Sequence, residues 1–307
     1  MENNTIIICN LIRIISKICV LQKQNKKMNF LKIVQNLENK TGEERFDFII
    51  NFLEENQINY QIHNYKTGKN IIIRTNNEET NKPFIGISSH FDVVPKSGGA
   101  NDNATSVAVC LDILIRIKEE SKQNPSFLEN LAFDITVFIF DEEERNLLGS
   151  RAYVMEFGRQ EIRKGKLIGL INLEMLGQGD KIALWNLEEN IKAGKVLETL
   201  EKTAKDKSIF TQRFDKIVTN SADHVSFRDA KLEDAFTITC ISQKDMEVSY
   251  HFYKAQEVGA SFQTLQEIIS QAPIFQHYHK PTDLSEFLNE ESMQRVSDLI
   301  WETLLKM

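Results

Sequence analysis

Apolar positions recur with two distinct periods along this chain. Between residues 30 and 56, Leu31, Ile33, Val34, Leu37, Phe46, Ile49, Ile50 and Leu53 fall at helical spacing. Lys40-Thr41-Gly42 interrupts them, which predicts two helices rather than one. Residues 60–62 and 70–75 read as strands, and 76–82 as a polar turn. Residues 84–88 read as a short buried strand, apolar from Phe84 to Ile87, as a strand buried on both faces is. Val107, Val109, Leu111, Leu114 and Ile117 mark an amphipathic helix over 105–118, and 119–130 reads as loop. Residues 131–140, rich in Phe, Ile and Val, predict another core strand. A helix over 149–157, strands over 166–173 and 181–185, and a long amphipathic helix over 187–207 follow. A strand at 236–241 and helices at 256–270 and 289–305 complete the chain.

Strands alternating with helices predict an α/β three-layer sandwich: a mixed, mainly parallel sheet with helices on both faces. No repeat, low-complexity linker or Pro-rich hinge divides it. The 307 residues, 41% of them hydrophobic, suffice for one large core. One catalytic domain is expected over 28–307, with 1–27 as an appendage. The apolar run at 5–20 is broken by Asn10, Arg13 and Lys17, too short and interrupted for a span of about 20 apolar residues. It also lacks a small-residue cleavage site.

Charge and cysteine content narrow the partners. The net charge is −7 and the basic residues are scattered, so no stripe of Lys and Arg suggests nucleic acid. Cys9, Cys19, Cys110 and Cys240 form no CxxC pair. Buried free thiols in a reducing, cytoplasmic setting are the expectation; a secreted or surface-anchored protein stays open. Oligomeric state is not legible.

The candidate chemistry lies at strand ends. The run 84–89 leads into His90, 131–140 into Asp141-Glu142-Glu143-Glu144, and 166–173 into Glu174. Open α/β sheets place their sites beyond the carboxyl ends of strands. A glycine- and asparagine-rich loop, 98–103, returns Asp102 toward His90, and His279 lies in His277-Tyr278-His279-Lys280-Pro281-Thr282-Asp283. Singly, each has an ordinary explanation: a helix start for the acidic run, an N-cap for Asp102. Their coincidence at one sheet edge is what a metal site needs.

In this order the segments resemble the di-zinc aminopeptidases, the group that also holds glutamate carboxypeptidase and glutaminyl cyclase. The resemblance covers about residues 85–283. It rests on His90-Phe91-Asp92, Gly99-Ala100-Asn101-Asp102-Asn103-Ala104, Phe140 to Glu144 with Leu147-Leu148-Gly149-Ser150, Asn172 to Gly177, and His279 to Asp283. It implies two divalent ions, zinc first. His90, Asp102 and Glu174 would hold one. Asp102, Glu144 and His279 would hold the other, with Asp102 bridging. Glu143 would be the general base for a two-metal-activated water, and Asp92 would orient His90. Asp283 would do the same for His279.

Counting back from Leu148-Gly149-Ser150 fixes the Glu143–Glu144 pair and leaves Glu142 as exposed filler. His279 is preferred to His277 because Lys-Pro-Thr-Asp follows it. Asp223-His224, in Ser221 to Phe227, resembles a substrate-side segment in which His224 would donate to the developing oxyanion. Glu174 stands where the family usually has aspartate, and Asn146 where it usually has glycine. Between Glu174 and His279 the chain reads as core strands and helices, so no lid domain is expected. The implied activity is metal-dependent removal of N-terminal residues from a peptide or aminoacyl substrate. The alternatives are glutaminyl cyclisation and a catalytically dead binding module.

Overall fold

The computed structural model describes residues 28–76, 81–185, 193–214 and 222–307. Among these, eight strands form one sheet: β1 (Gln61–Asn64), β2 (Lys69–Arg74), β3 (Phe84–His90), β4 (Asp134–Phe140), β5 (Leu167–Leu173), β6 (Lys181–Trp185), β7 (Thr211–Phe214) and β8 (Ala235–Ile241), in the order β1-β2-β4-β3-β5-β8-β6-β7. β3, β4, β5 and β8 run parallel at its centre. β2 is antiparallel to β4, and β6 to β8.

The central strands read as apolar runs because both of their faces are covered. Ile135, Val137 and Ile139 of β4 join Ile85, Ile87 and Ile171 in a core shared with helices Phe30–Leu37, Thr105–Gln123, Lys195–Asp206 and Glu290–Lys306. The alternate residues, Phe138 and Phe140, point the other way. They pack with Tyr153 and Phe227, from helices Leu148–Tyr153 and His224–Asp229. The result is the expected α/β sandwich with helices on both faces.

Three expectations change. The helix at 105 runs on to Gln123, and a further turn covers Phe127–Asn130, where loop was expected. Its apolar stripe ends early, but Glu119 and Lys122 continue it as a solvent-facing pair 2.7 Å apart. The helix expected at 256–270 is instead two helices, Gln243–Glu257 and Phe262–Ile269. Gly259 between them sits at φ +74, a left-handed turn that glycine adopts without strain. The first of the pair is mostly polar and is set by a capping box, Ser242 with Asp245. β7 was also unexpected, since only Phe214 of its residues is buried.

The helix expected at 187–207 is described from Lys195 to Asp206. The proposed appendage, Cys9, Cys19 and Ser221 lie outside the described residues. Cys110 and Cys240 are buried free thiols, and burial pushes each up to about 12. Among the described residues no helix is long and apolar enough to cross a membrane.

Candidate metal centre

β4, β3 and β5 are adjacent and parallel, so their carboxyl ends deliver Asp141–Glu144, His90 and Glu174 to one rim. The loop after β3 brings Asp102 back to that rim. His90 Nε2 lies 3.3 Å from Asp102 Oδ1, 3.3 Å from Glu174 Oε2 and 3.9 Å from Glu143 Oε2. The second oxygen of Asp102 turns the other way, and His279 Nε2 lies 3.3 Å from it and 3.2 Å from Glu144 Oε1. Asp102 therefore stands between the two imidazoles. His277 is turned aside, with Nδ1 3.0 Å from Thr282 Oγ1.

Each of these groups is held from behind. Asp92 Oδ1 lies 3.2 Å from His90 Nδ1, which leaves Nε2 facing the carboxylates. The same carboxylate accepts the backbone N–H of Glu143 at 3.0 Å and of Glu144 at 3.1 Å. One aspartate thus fixes the imidazole and the glutamate pair in a common frame. Asn103 donates to Glu174 Oε2 at 2.7 Å and Asn172 to Oε1 at 3.2 Å. Two amides therefore brace the longer arm that Glu174 carries in place of aspartate.

Asp283 acts differently from expectation. Its carboxylate accepts the N–H groups of Asn101 and Asp102, at 2.8 and 3.1 Å, so it positions the bridging aspartate rather than His279. His279 instead stacks under Tyr278, with ring centroids 3.7 Å apart, at φ +58. A non-glycine residue in that region is held there by its surroundings.

Glu142 corrects the sequence reading. It is 5% exposed, its carboxylate accepts Thr67 Oγ1 at 2.5 Å, and it pairs with Arg145. Asp141 accepts the N–H of Lys69, so the base of the acidic turn is pinned to the β1–β2 hairpin. Asn146 sits at φ +68, as its replacement of glycine suggested. His224 is fully buried, with Nδ1 2.7 Å from Thr237 Oγ1, while Ala222 and Thr237 line the cavity wall there. Burial lowers His224 to about 3, so its ring is neutral.

The electrostatics match a site built for cations. Burial, with further pressure from Glu174, Asp223 and Glu144, raises Glu143 well above the ordinary carboxylate range, against the pull of His90. Burial and then Asp102 raise Glu144 to about 7. Burial works against a charge on His90, yet Glu174 and Glu143 hold its protonated form well above the usual range. Glu144 Oε1 is buried and has no hydrogen-bond partner, although His279 lies 3.2 Å away. His90, Asp102 and Glu144 each offer a ligand atom within 4.8 Å of the others. Imidazole nitrogens and carboxylate oxygens converging in this way fit a divalent ion of the zinc type.

The cluster opens into a cavity of about 450 Å³, walled by Met175, Trp185, Ile241, Ile274, Phe275 and Tyr278. Asp245 also reaches the wall, but its oxygens are taken by Ser242 and by the N–H of Ile274. Tyr278, which the sequence places in the pocket beside the last histidine, was not among the expected site residues. Burial, then Asp102, Glu144, Glu143 and Glu174, raise its phenol far above the usual value, so it keeps its proton where it stacks beside His279. Its place next to His279 was the available signal.

Comparison with known proteins agrees with this fold. The chain is 26% identical over 238 residues to aminopeptidase YwaD of Bacillus subtilis, covering 76% of this chain and 44% of that protein. It is 24% identical over 226 residues to a vacuolar membrane protease of Lachancea thermotolerans, covering 73% of this chain and 21% of that one. The chain thus spans less than half the length of these relatives. Among solved structures, the LapA aminopeptidase of Legionella pneumophila superposes with a TM-score of 0.63 at 16% identity, covering 90% of this chain and 69% of that one. The glutaminyl cyclase of Porphyromonas gingivalis superposes at 0.60 and 16% identity, covering 90% and 96%. Residues 70–304, which carry every strand of the parallel centre and all the convergent side chains, match peptidase family M28, and the chain belongs to that family.

Proposed function

We propose that this protein is a metal-dependent aminopeptidase, hydrolysing the peptide bond next to a free N-terminus. The observation that carries the reading is the split role of the glutamate pair. Asp92 holds both backbones, Glu144 faces His279 and Asp102, and Glu143 faces His90 without completing either half. His90, Asp102 and Glu174 would hold one ion, and Asp102, Glu144 and His279 the other. When bound, such ions polarise the scissile carbonyl and make water acidic enough to be deprotonated near neutral pH.

The chain's own residues do the rest. Glu143 takes the proton of the attacking water and returns it to the leaving amine. Its raised affinity for a proton suits both halves of that cycle. Tyr278, rather than the buried His224, offers an O–H to the oxygen that gains charge. The apolar wall from Met175 to Phe275 receives the substrate side chain and excludes water around the reacting group.

Glu143→Gln tests the assignment. The variant should keep its metal content and lose turnover by about 10²–10⁴-fold, the range of general-base contributions. Near-normal hydrolysis of amino-acid amides by that variant would rule Glu143 out.

One observation favours a second reading. A glutaminyl cyclase fold matches over 90% of this chain and 96% of that one, so cyclisation of N-terminal glutamine is the competing activity. Pyroglutamate formed from a glutaminyl peptide, without release of a free amino acid, would favour it over hydrolysis.

A further inference from the structure

Arg45 is 1% exposed and is among the largest fully buried side chains of the described residues. It lies in helix Gly42–Glu55, outside the segment that matches the family. Buried guanidinium groups are normally paired with a carboxylate. Among the described residues this one hydrogen-bonds none. Nη1 donates to the carbonyl of Phe91 at 3.4 Å, and Nη2 to those of Gly98 and Gly99 at 3.3 and 2.8 Å. Nε is buried without a partner.

The three carbonyls belong to the loop that carries Asp102. That loop is moulded on the guanidinium: Gly99 sits at φ +67, and a Cβ there would meet Arg45 Nη2 at 2.1 Å. Three neutral carbonyls do not balance a buried cation. The balance comes from further away. Burial lowers Arg45 to about 10, against the fields of Asp102, Asp283, Asp92 and Glu144, so it stays charged at neutral pH. Two of those four are assigned here as metal ligands, and Asp92 and Asp283 hold such ligands in place.

We propose that Arg45 is a built-in counter-cation of the metal centre. It keeps the loop of the bridging aspartate closed when no ion is bound, and it opposes the ions electrostatically once they arrive. The inference rests on the metal-site reading above. In the empty site several carboxylates crowd together, and Arg45 offsets part of their repulsion. Bound divalent ions neutralise those same carboxylates and leave Arg45 facing added positive charge. Coupling between sites is reciprocal, so if metal destabilises Arg45, then Arg45 weakens metal binding. A purely mechanical strut predicts the opposite, because loosening the Asp102 loop would cost affinity.

Zinc affinity, measured by competition with a chromophoric chelator, separates the two. The comparison uses the full chain as wild type, Arg45→Lys and Arg45→Met, at one pH and salt. Arg45→Lys keeps the charge and loses the fork; it should bind zinc within about threefold of wild type. Arg45→Met has similar bulk and no charge; it should bind at least about tenfold more tightly than Arg45→Lys. Its melting temperature should fall more in the stripped than in the loaded form, because added metal restores the missing charge balance. Affinity of Arg45→Met equal to or weaker than that of Arg45→Lys would overturn the proposal, and so would an equal loss of melting temperature in both forms. If Arg45→Met does not fold in either form, Arg45→Lys decides alone, and a change of about tenfold either way counts against a charge-based role. A wild-type chain that binds no divalent ion would instead sink the metal site itself.

Discussion

The two histidines of the centre are held in opposite ways. His90 ends a buried parallel strand, with Asp92 behind it and two further strand ends beside it. His279 sits on a loop at positive φ, its side chain 33% exposed, with an aromatic ring above it. The segment that leads to it carries the helical pair Gln243–Glu257 and Phe262–Ile269. Within the first only Asp245, Val248 and Ser249 are buried, and within the second no residue is. Burying one large aliphatic or aromatic side chain is worth about 1.5–3 kcal/mol. The sheet rim is therefore anchored by dozens of buried side chains and the helical pair by few. Local opening starts where few contacts resist it, which predicts that it begins in the helical pair rather than at the sheet rim. One half of the centre is a frame set in the sheet rim; the other, the flap, is the loop that follows the lightly buried helical pair and is tied to the Asp102 loop through Lys280 and Asp283, so Asp102 belongs to both.

That contrast predicts unequal consequences for substitutions of similar chemistry. Asp102→Asn should be the most damaging, because each of its oxygens faces a different histidine. Metal analysis should find both ions lost, with hydrolysis at background; retention of one full equivalent would show that the carboxylate serves a single half.

Asp92→Asn should come next. Removing the carboxylate behind a ligating histidine typically costs about 10–100-fold in metal affinity or activity. Asp92 also frames Glu143 and Glu144, so the upper part of that range is expected here. Asp283→Asn is the matched test on the other side. It keeps one acceptor for two N–H groups and should cost no more than about tenfold. Chelator competition on both variants checks the order, and an equal or reversed order would erase the distinction between frame and flap.

The smallest effect is in the pH dependence of the metal-free protein. Burial opposes charge on His279, but Asp102 and Glu144 outweigh it and raise the group to about 9. A group raised on folding stabilises fully below its unfolded value, about 6.5, and loses that contribution as pH rises through the folded value. The stripped wild type should therefore be more stable than stripped His279→Asn at pH 6, and the gap should close by about pH 9. Melting curves in a chelator check this; a gap that stays constant would mean His279 is not paired when metal is absent.

The same contrast explains what the sequence revealed. The frame was legible because strands buried on both faces read as continuous apolar runs, and those runs end at His90, Asp141 and Glu174. The flap was not. Helix Gln243–Glu257 buries too little to show an apolar stripe, and its capping box was the only local sign of it. β7 is a four-residue edge strand with one buried residue. Side chains that support the site were legible only in part. Asp92 could be assigned because it lies two residues from its histidine. Asp283 could not, because its partners are backbone N–H groups 181 and 182 residues away. Glu142 looked like filler because a buried carboxylate is indistinguishable from an exposed one until Thr67 and Arg145 are placed beside it. Arg45, next to Glu43 and Glu44, carries no sequence signal that separates it from a solvated helix position.

The central claim is that one carboxylate, Asp102, is shared by two cations. Anomalous scattering at the zinc edge from crystals of the zinc-loaded chain tests it most directly. Two peaks should flank Asp102, about 3.5–4 Å apart, one on the His90 and Glu174 side and one on the His279 and Glu144 side. A single peak, or peaks that leave Asp102 without a metal contact, would contradict the account.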